Sequence, residues 1–170
     1  MKILLVNPPS PGIYNSVGLK LPPLGLGYLA SVLQKNHHQV KILDLQVEKK
    51  SILERELINC DLVGITCESN KIFKALDIAT KAKQRGCITV MGGYHATFRD
   101  KEILSLGMVD YIVKGEGEYT FSRLVQNLEE NKDISNLPGV SYRKDNVIFE
   151  ASIPKPPENL DDIPFPSREL

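Results

Sequence analysis

Short apolar runs alternate with amphipathic stretches from Lys2 to Glu130, and that alternation leaves few folds open. Residues 2–6 (KILLV), 39–45 (QVKILDL), 61–67 (DLVGITC), 87–91 (CITVM) and 110–113 (DYIV) read as strands. Between them, Pro22 to Asn36 reads as a helix with proline near its first turn, and residues 51–58 as a short helix capped by Ser51. Lys71 to Gln84 is a helix whose apolar face is Ile72, Phe73, Leu76, Ile78, Ala79 and Ala82, with Gly86 as its stop. Thr97 to Leu106 and Glu116 to Glu130 complete the helices. Strand–helix alternation of this kind predicts a parallel, doubly wound sheet with helices on both faces.

Five such units favour an α/β, flavodoxin-like (Rossmann-like) five-stranded sheet of order 2-1-3-4-5. After Asn131 the pattern changes. Residues 139–143 and 147–150, joined by Lys144-Asp145-Asn146, predict a C-terminal β-hairpin. The proline-rich tail IPKPPENLDDIPFPSREL has no period and reads as a linker or a surface arm. The expected organisation is therefore an α/β domain over residues 1–131, then a hairpin and linker over residues 132–170.

Charge narrows the partners. Lys+Arg and Asp+Glu both number 21, which leaves no broad basic footprint for nucleic acid. No polybasic segment addresses an anionic membrane, and the longest apolar run, Leu24 to Leu33, is too short to span one. Asn7-Pro8-Pro9 interrupts the N-terminal apolar run too early for a signal peptide, so a cytoplasmic location is expected. Cys60, Cys67 and Cys87 are widely spaced and form no C-x-x-C pair, so they read as small buried residues.

Gly25-Leu-Gly27-Tyr-Leu-Ala30 matches the dinucleotide pattern G-x-G-x-x-G/A. Position argues against that meaning. A phosphate turn must follow the first strand directly, where helix amides face the pyrophosphate. Gly25 comes 18 residues after Asn7, and the glycines fall inside a helix that starts at the prolines. Close packing against the sheet explains them, and so does a bulky ligand passing beside the helix.

Ligands of open α/β sheets bind beyond the carboxyl ends of the strands. The residues placed there are Asn7, Pro8 and Pro9 after the first strand, and Thr66, Cys67 and Ser69 after the third. Gly92, Gly93, Tyr94 and His95 follow the fourth, and Gly115, Glu116, Gly117 and Glu118 follow the fifth. With Gly25 they form the candidate binding set. Small residues let a ligand approach the backbone, and the acids suit amide or hydroxyl donors better than phosphate. No nucleophile–base set or metal-ligand cluster is apparent, and His37 and His38 read as solvated loop residues. Flavin or nucleotide binding, and a cofactor-free sensing module, stay open at this level.

Taken together, NPP, PPLGLGYLAS, GGYHAT, DYIVKGEGE and LDDIPFPSREL resemble one family, from Lys2 to Leu170. It is the N-terminal cobalamin-binding domain of cobalamin-dependent radical S-adenosylmethionine enzymes, which include the anaerobic magnesium-protoporphyrin cyclase and many methyltransferases. The resemblance implies a corrin over the carboxyl edge, with its nucleotide tail beside the sheet and passing Gly92 and Gly93. It also implies methyl transfer or cyclase chemistry in the intact enzyme. The first loop lacks the D-x-H-x-x-G histidine, so no cobalt ligand from that loop is expected. The chain has no C-x-x-x-C-x-x-C motif, so S-adenosylmethionine and a [4Fe-4S] cluster are expected only in a further C-terminal domain. By this reading the chain is a piece of a larger enzyme, not catalytic alone, with cobalamin and its own radical domain as partners.

Overall fold

The computed structural model describes residues 1–10, 21–155 and 163–167. Residues 11–20 of the loop after the first strand and parts of the proline-rich tail lie outside them. The strands are β1 (Lys2–Asn7), β2 (Gln39–Asp44), β3 (Leu62–Thr66), β4 (Ile88–Gly92), β5 (Tyr111–Val113), β6 (Val140–Lys144) and β7 (Val147–Phe149). The helices are α1 (Leu24–Lys35), α2 (Lys50–Glu56), α3 (Ile72–Gln84), α4 (Tyr94–Phe98), α5 (Asp100–Ser105) and α6 (Glu118–Glu129).

β1 to β5 are parallel in the expected order 2-1-3-4-5. The sheet has seven strands rather than five, because the hairpin continues it: β6 pairs antiparallel with β5 and β7 with β6. This covers the edge that the three-residue β5 would otherwise expose. Asp145 and Asn146 turn the hairpin at φ 49° and 65°, the left-handed pair that a two-residue connection requires. Tyr142 and Phe149, directly opposite in register, stack at 4.9 Å.

The strand pleat divides the core in two. Leu4, Val6, Val63 and Met91 point to the face covered by α2, α3 and α5. Ile3, Leu5, Leu62 and Val90 point to the face covered by α1 and α6. Several local expectations are corrected. α2 starts at Lys50 without a Ser51 cap, because the chain turns into the helix two residues sooner. Phe73 lies outside the apolar face of α3 at 83% exposure, because the buried stripe runs through Ala75, Ile78, Ala79 and Ala82. His38 is buried rather than solvated, with Nδ1 3.7 Å from Glu129, and burial pulls its pKa down.

The expected helix over Thr97–Leu106 is two helices broken at Arg99. The break sets Asp100 into a buried network beneath the loop after β5. Asp100 Oδ2 accepts from Lys114 Nζ at 2.8 Å and from Ser141 Oγ at 2.6 Å, and Ser141 Oγ accepts from the Ala151 amide at 2.9 Å. Burial works against charge on Asp100, but the hydrogen bonds from Lys114 and Ser141 prevail and hold its carboxyl below the usual range. That stabilisation is complete at neutral pH and is lost as pH falls through the folded value. Asp100→Asn should therefore cost about 3–5 kcal/mol in urea unfolding at pH 7, because it strands the Lys114 ammonium. The gap between variant and wild type should close as the titration is repeated at lower pH.

Candidate functional site

A cleft of about 830 Å³ opens at the carboxyl ends of the parallel strands and runs down between α1, α6 and the sheet. Its position follows from topology. β1 lies between β2 and β3, so the crossover through α1 leaves in the opposite direction from those through α2, α3 and α4–α5. Right-handed crossovers then put α1 on the other face from those helices. The slot beside α1 descends over Leu5, Gly64 and Val90 of the sheet, with Leu26 and Leu29 on α1 and Phe121 on α6.

Ten predicted site residues line this cleft: Asn7, Gly25, Thr66, Gly92, Gly93, Tyr94, Gly115, Glu116, Gly117 and Glu118. Five stand outside the described wall. Cys67 is fully buried in the core on the opposite face, and burial pushes its thiol up to about 11. Ser69 and His95 face each other, Oγ to Nδ1, at 3.1 Å. Beyond β1, Pro8 is buried and Pro9 half-buried, and neither reaches the wall.

The glycines divide by role. A Cβ on Gly25 would meet nothing within 4 Å, so this position faces open cleft. A Cβ on Gly92 would come no nearer than 3.5 Å to the Val113 carbonyl. Gly93 is structural as well: at φ 91° it caps α4, and a Cβ there would sit 2.9 Å from the Cys67 carbonyl. Gly27 gives room to the tail rather than to a ligand. Pro166 Cβ lies 3.0 Å from where its Cβ would be, and the Ser167 amide donates to the Gly27 carbonyl at 3.1 Å.

The sequence reading missed Gly64, Glu68, Lys71, Thr97 and Phe98, all in the wall. Gly64 carried a signal, since a glycine inside a strand marks a close approach. A Cβ on it would meet Leu5 Cδ2 at 2.8 Å and Phe121 Cζ at 3.2 Å, so both side chains lie over a strand without one. Lys71 carried none. It read as a helix start, yet it is 5% exposed, with Nζ 3.2 Å from Asn7 Oδ1 and 3.3 Å from Glu68 Oε1. Asn7 in turn donates to Asp44 Oδ1 at 3.0 Å, so its amide serves to hold Lys71. Thr97 Oγ1 accepts from the Gly115 amide at 3.1 Å and ties the β5 loop to α4. At the mouth, burial raises the Glu118 carboxyl, and Glu116 adds to the rise.

The site is thus a slot with backbone exposed in its wall, acceptors at its mouth and, among the described residues, no histidine in its wall. A family model described as a B12 binding domain matches residues 11–125. The chain belongs to the B12-binding domain family.

Among curated relatives, an uncharacterized methyltransferase of Pyrococcus horikoshii is 38% identical over all of this chain and 39% of its own length. An anaerobic magnesium-protoporphyrin IX monomethyl ester cyclase of a Synechocystis species is 32% identical over 92% of this chain and 33% of its own. The chain thus spans little more than a third of these relatives. The solved cobalamin-dependent S-adenosylmethionine radical enzyme OxsB, with aqua-cobalamin and S-adenosylmethionine bound, superposes at a TM-score of 0.79. That match is 21% identical, covers 98% of this chain and 24% of OxsB, and shows the fold.

Gly25 separates ligand from fold. Gly25→Leu should leave the fold intact and raise stability by about 0.5–1 kcal/mol, as expected when glycine leaves a helix. The same change fills the mouth of the cleft. Ligand affinity should therefore fall by about tenfold or more, measured by titration beside a thermal melt.

Proposed function

We propose that this chain binds cobalamin in the α1 cleft and serves a radical S-adenosylmethionine enzyme that transfers methyl groups or closes a ring. The observation that carries the reading is the joint position of the glycine-edged slot and the family match. The slot fits the group: Gly25 and Gly92 leave a broad approach without side chains, and Leu5, Leu26, Leu29, Val90 and Phe121 give its depth an apolar lining beside α1. Gly92 and Gly93 flank the expected path of the nucleotide tail. Bound cobalamin supplies a cobalt centre able to carry a methyl group; the residues of this chain bind and orient it.

S-adenosylmethionine and the [4Fe-4S] cluster belong, on this reading, to a further domain of the same protein. Residues 132–170 include its linker, and Pro164 to Ser167 lie along α1, where Ser31 Oγ donates to the Pro164 carbonyl at 3.3 Å. Among the described residues no helix is long and apolar enough to cross a membrane, which accords with the cytoplasmic site of action we infer. The match to a B12 binding domain supports cobalamin over a flavin or nucleotide.

The test is retention. The chain is mixed with hydroxocobalamin, desalted, and its visible spectrum recorded. Corrin bands should travel with the protein, and His95→Ala should leave their positions unchanged, because His95 bonds Ser69 outside the wall. A folded chain that loses all corrin would overturn the reading. A band shift in His95→Ala would make that histidine a cobalt ligand.

A further inference from the structure

The charges in the cleft wall do not balance. Among the described residues the charged side chains there are Glu68, Lys71, Glu116 and Glu118. Lys71 is already spent on buried Asn7 and on exposed Glu68. Glu116 and Glu118 have no cation or side-chain donor among the described residues. They stand at the start of α6 beside Gly115 and Gly117, on a loop held from below by Thr97 and by the Asp100–Lys114 pair. Among the described residues, a fixed loop therefore presents two side-chain acceptors and no side-chain donor to whatever fills the mouth.

We propose that Glu116 and Glu118 select a corrinoid whose peripheral arms are primary amides and reject one whose arms are carboxylates. This rests on the cobalamin reading above. A corrin carries side arms around its rim, and in cobalamin these end in amides, which donate N–H groups that a carboxylate accepts. Incompletely amidated corrinoids end in carboxylates at the same places. Such an arm brings a third negative charge to a pair, Glu118 half-buried and Glu116 exposed, that Lys71 does not neutralise. It also leaves the acceptors without donors. Burial already raises the Glu118 carboxyl, and the smaller push from Glu116 is a repulsion of the same kind. The phosphodiester of cobalamin sits in its tail, away from these arms.

The test is a competition between closely similar ligands. The full chain is titrated with aquocobalamin and with the separated cobalamin monocarboxylic acids, in which one amide arm has been hydrolysed. At least one monoacid should bind about tenfold more weakly than aquocobalamin, a difference of about 1.4 kcal/mol. In the double variant Glu116→Gln, Glu118→Gln the gap for that isomer should shrink to about twofold, with the circular dichroism spectrum unchanged. Equal binding of every monoacid by the wild type would overturn the selection and leave cobalamin binding standing. So would a gap that survives in the folded double variant. If the wild type retains neither aquocobalamin nor any monoacid, the cobalamin reading falls and the selection falls with it.

Discussion

Reversal of strand order at β1 is the constraint on which the rest depends. Parallel strands need long crossovers, and right-handed crossovers put their helices on a face set by the direction of travel. From β1 the chain first goes to β2 and then returns past β1 to β3. α1 is therefore parted from α2 and α3 by the sheet, and α6 joins it only after β5. The slot between α1, α6 and the sheet follows from that one reversal, and every carboxyl-end loop discharges into it. The pleat of β1 does the complementary work, sending Leu5 toward the slot and Leu4 and Val6 toward the other core.

The site borrows rigidity from groups that do not line it. Asp44 and Asn7 hold Lys71, and Lys71 holds Glu68. Asp100, Ser141 and Lys114 hold the loop that carries Glu116 and Glu118. Buried charges of this kind add little net stability but cost much when one partner is removed. Their use here is positional: they fix acceptors on loops that have few apolar contacts of their own.

The outer side of α1 has a different occupant. Gly27 admits Pro166 to within van der Waals contact, and Ser167 Oγ donates to Gln34 Oε1 at 2.6 Å. One helix thus meets the tail through Gly27 and faces the cleft through Gly25. The two glycines fall in one short motif and serve unrelated surfaces.

The sequence by itself determined the five parallel strands, the hairpin turn at Asp145-Asn146 and ten residues of the cleft wall, and it favoured the strand order without proving it. These are local or periodic properties: apolar runs, left-handed turn residues and the rule that ligands meet strand carboxyl ends. Only the tertiary structure decided that the hairpin extends the sheet, that Phe73 faces outward and that Cys67 turns to the far core. It alone brought Lys71 beneath the cleft, paired Ser69 with His95 and gave Gly27 to the tail. Those outcomes depend on which segments, distant along the chain, come into contact, and no period or spacing encodes that. Residues 7, 44, 68 and 71 meet because β1, β2 and β3 lie side by side, and the charge that Lys71 leaves uncompensated at Glu116 and Glu118 appears only once they do.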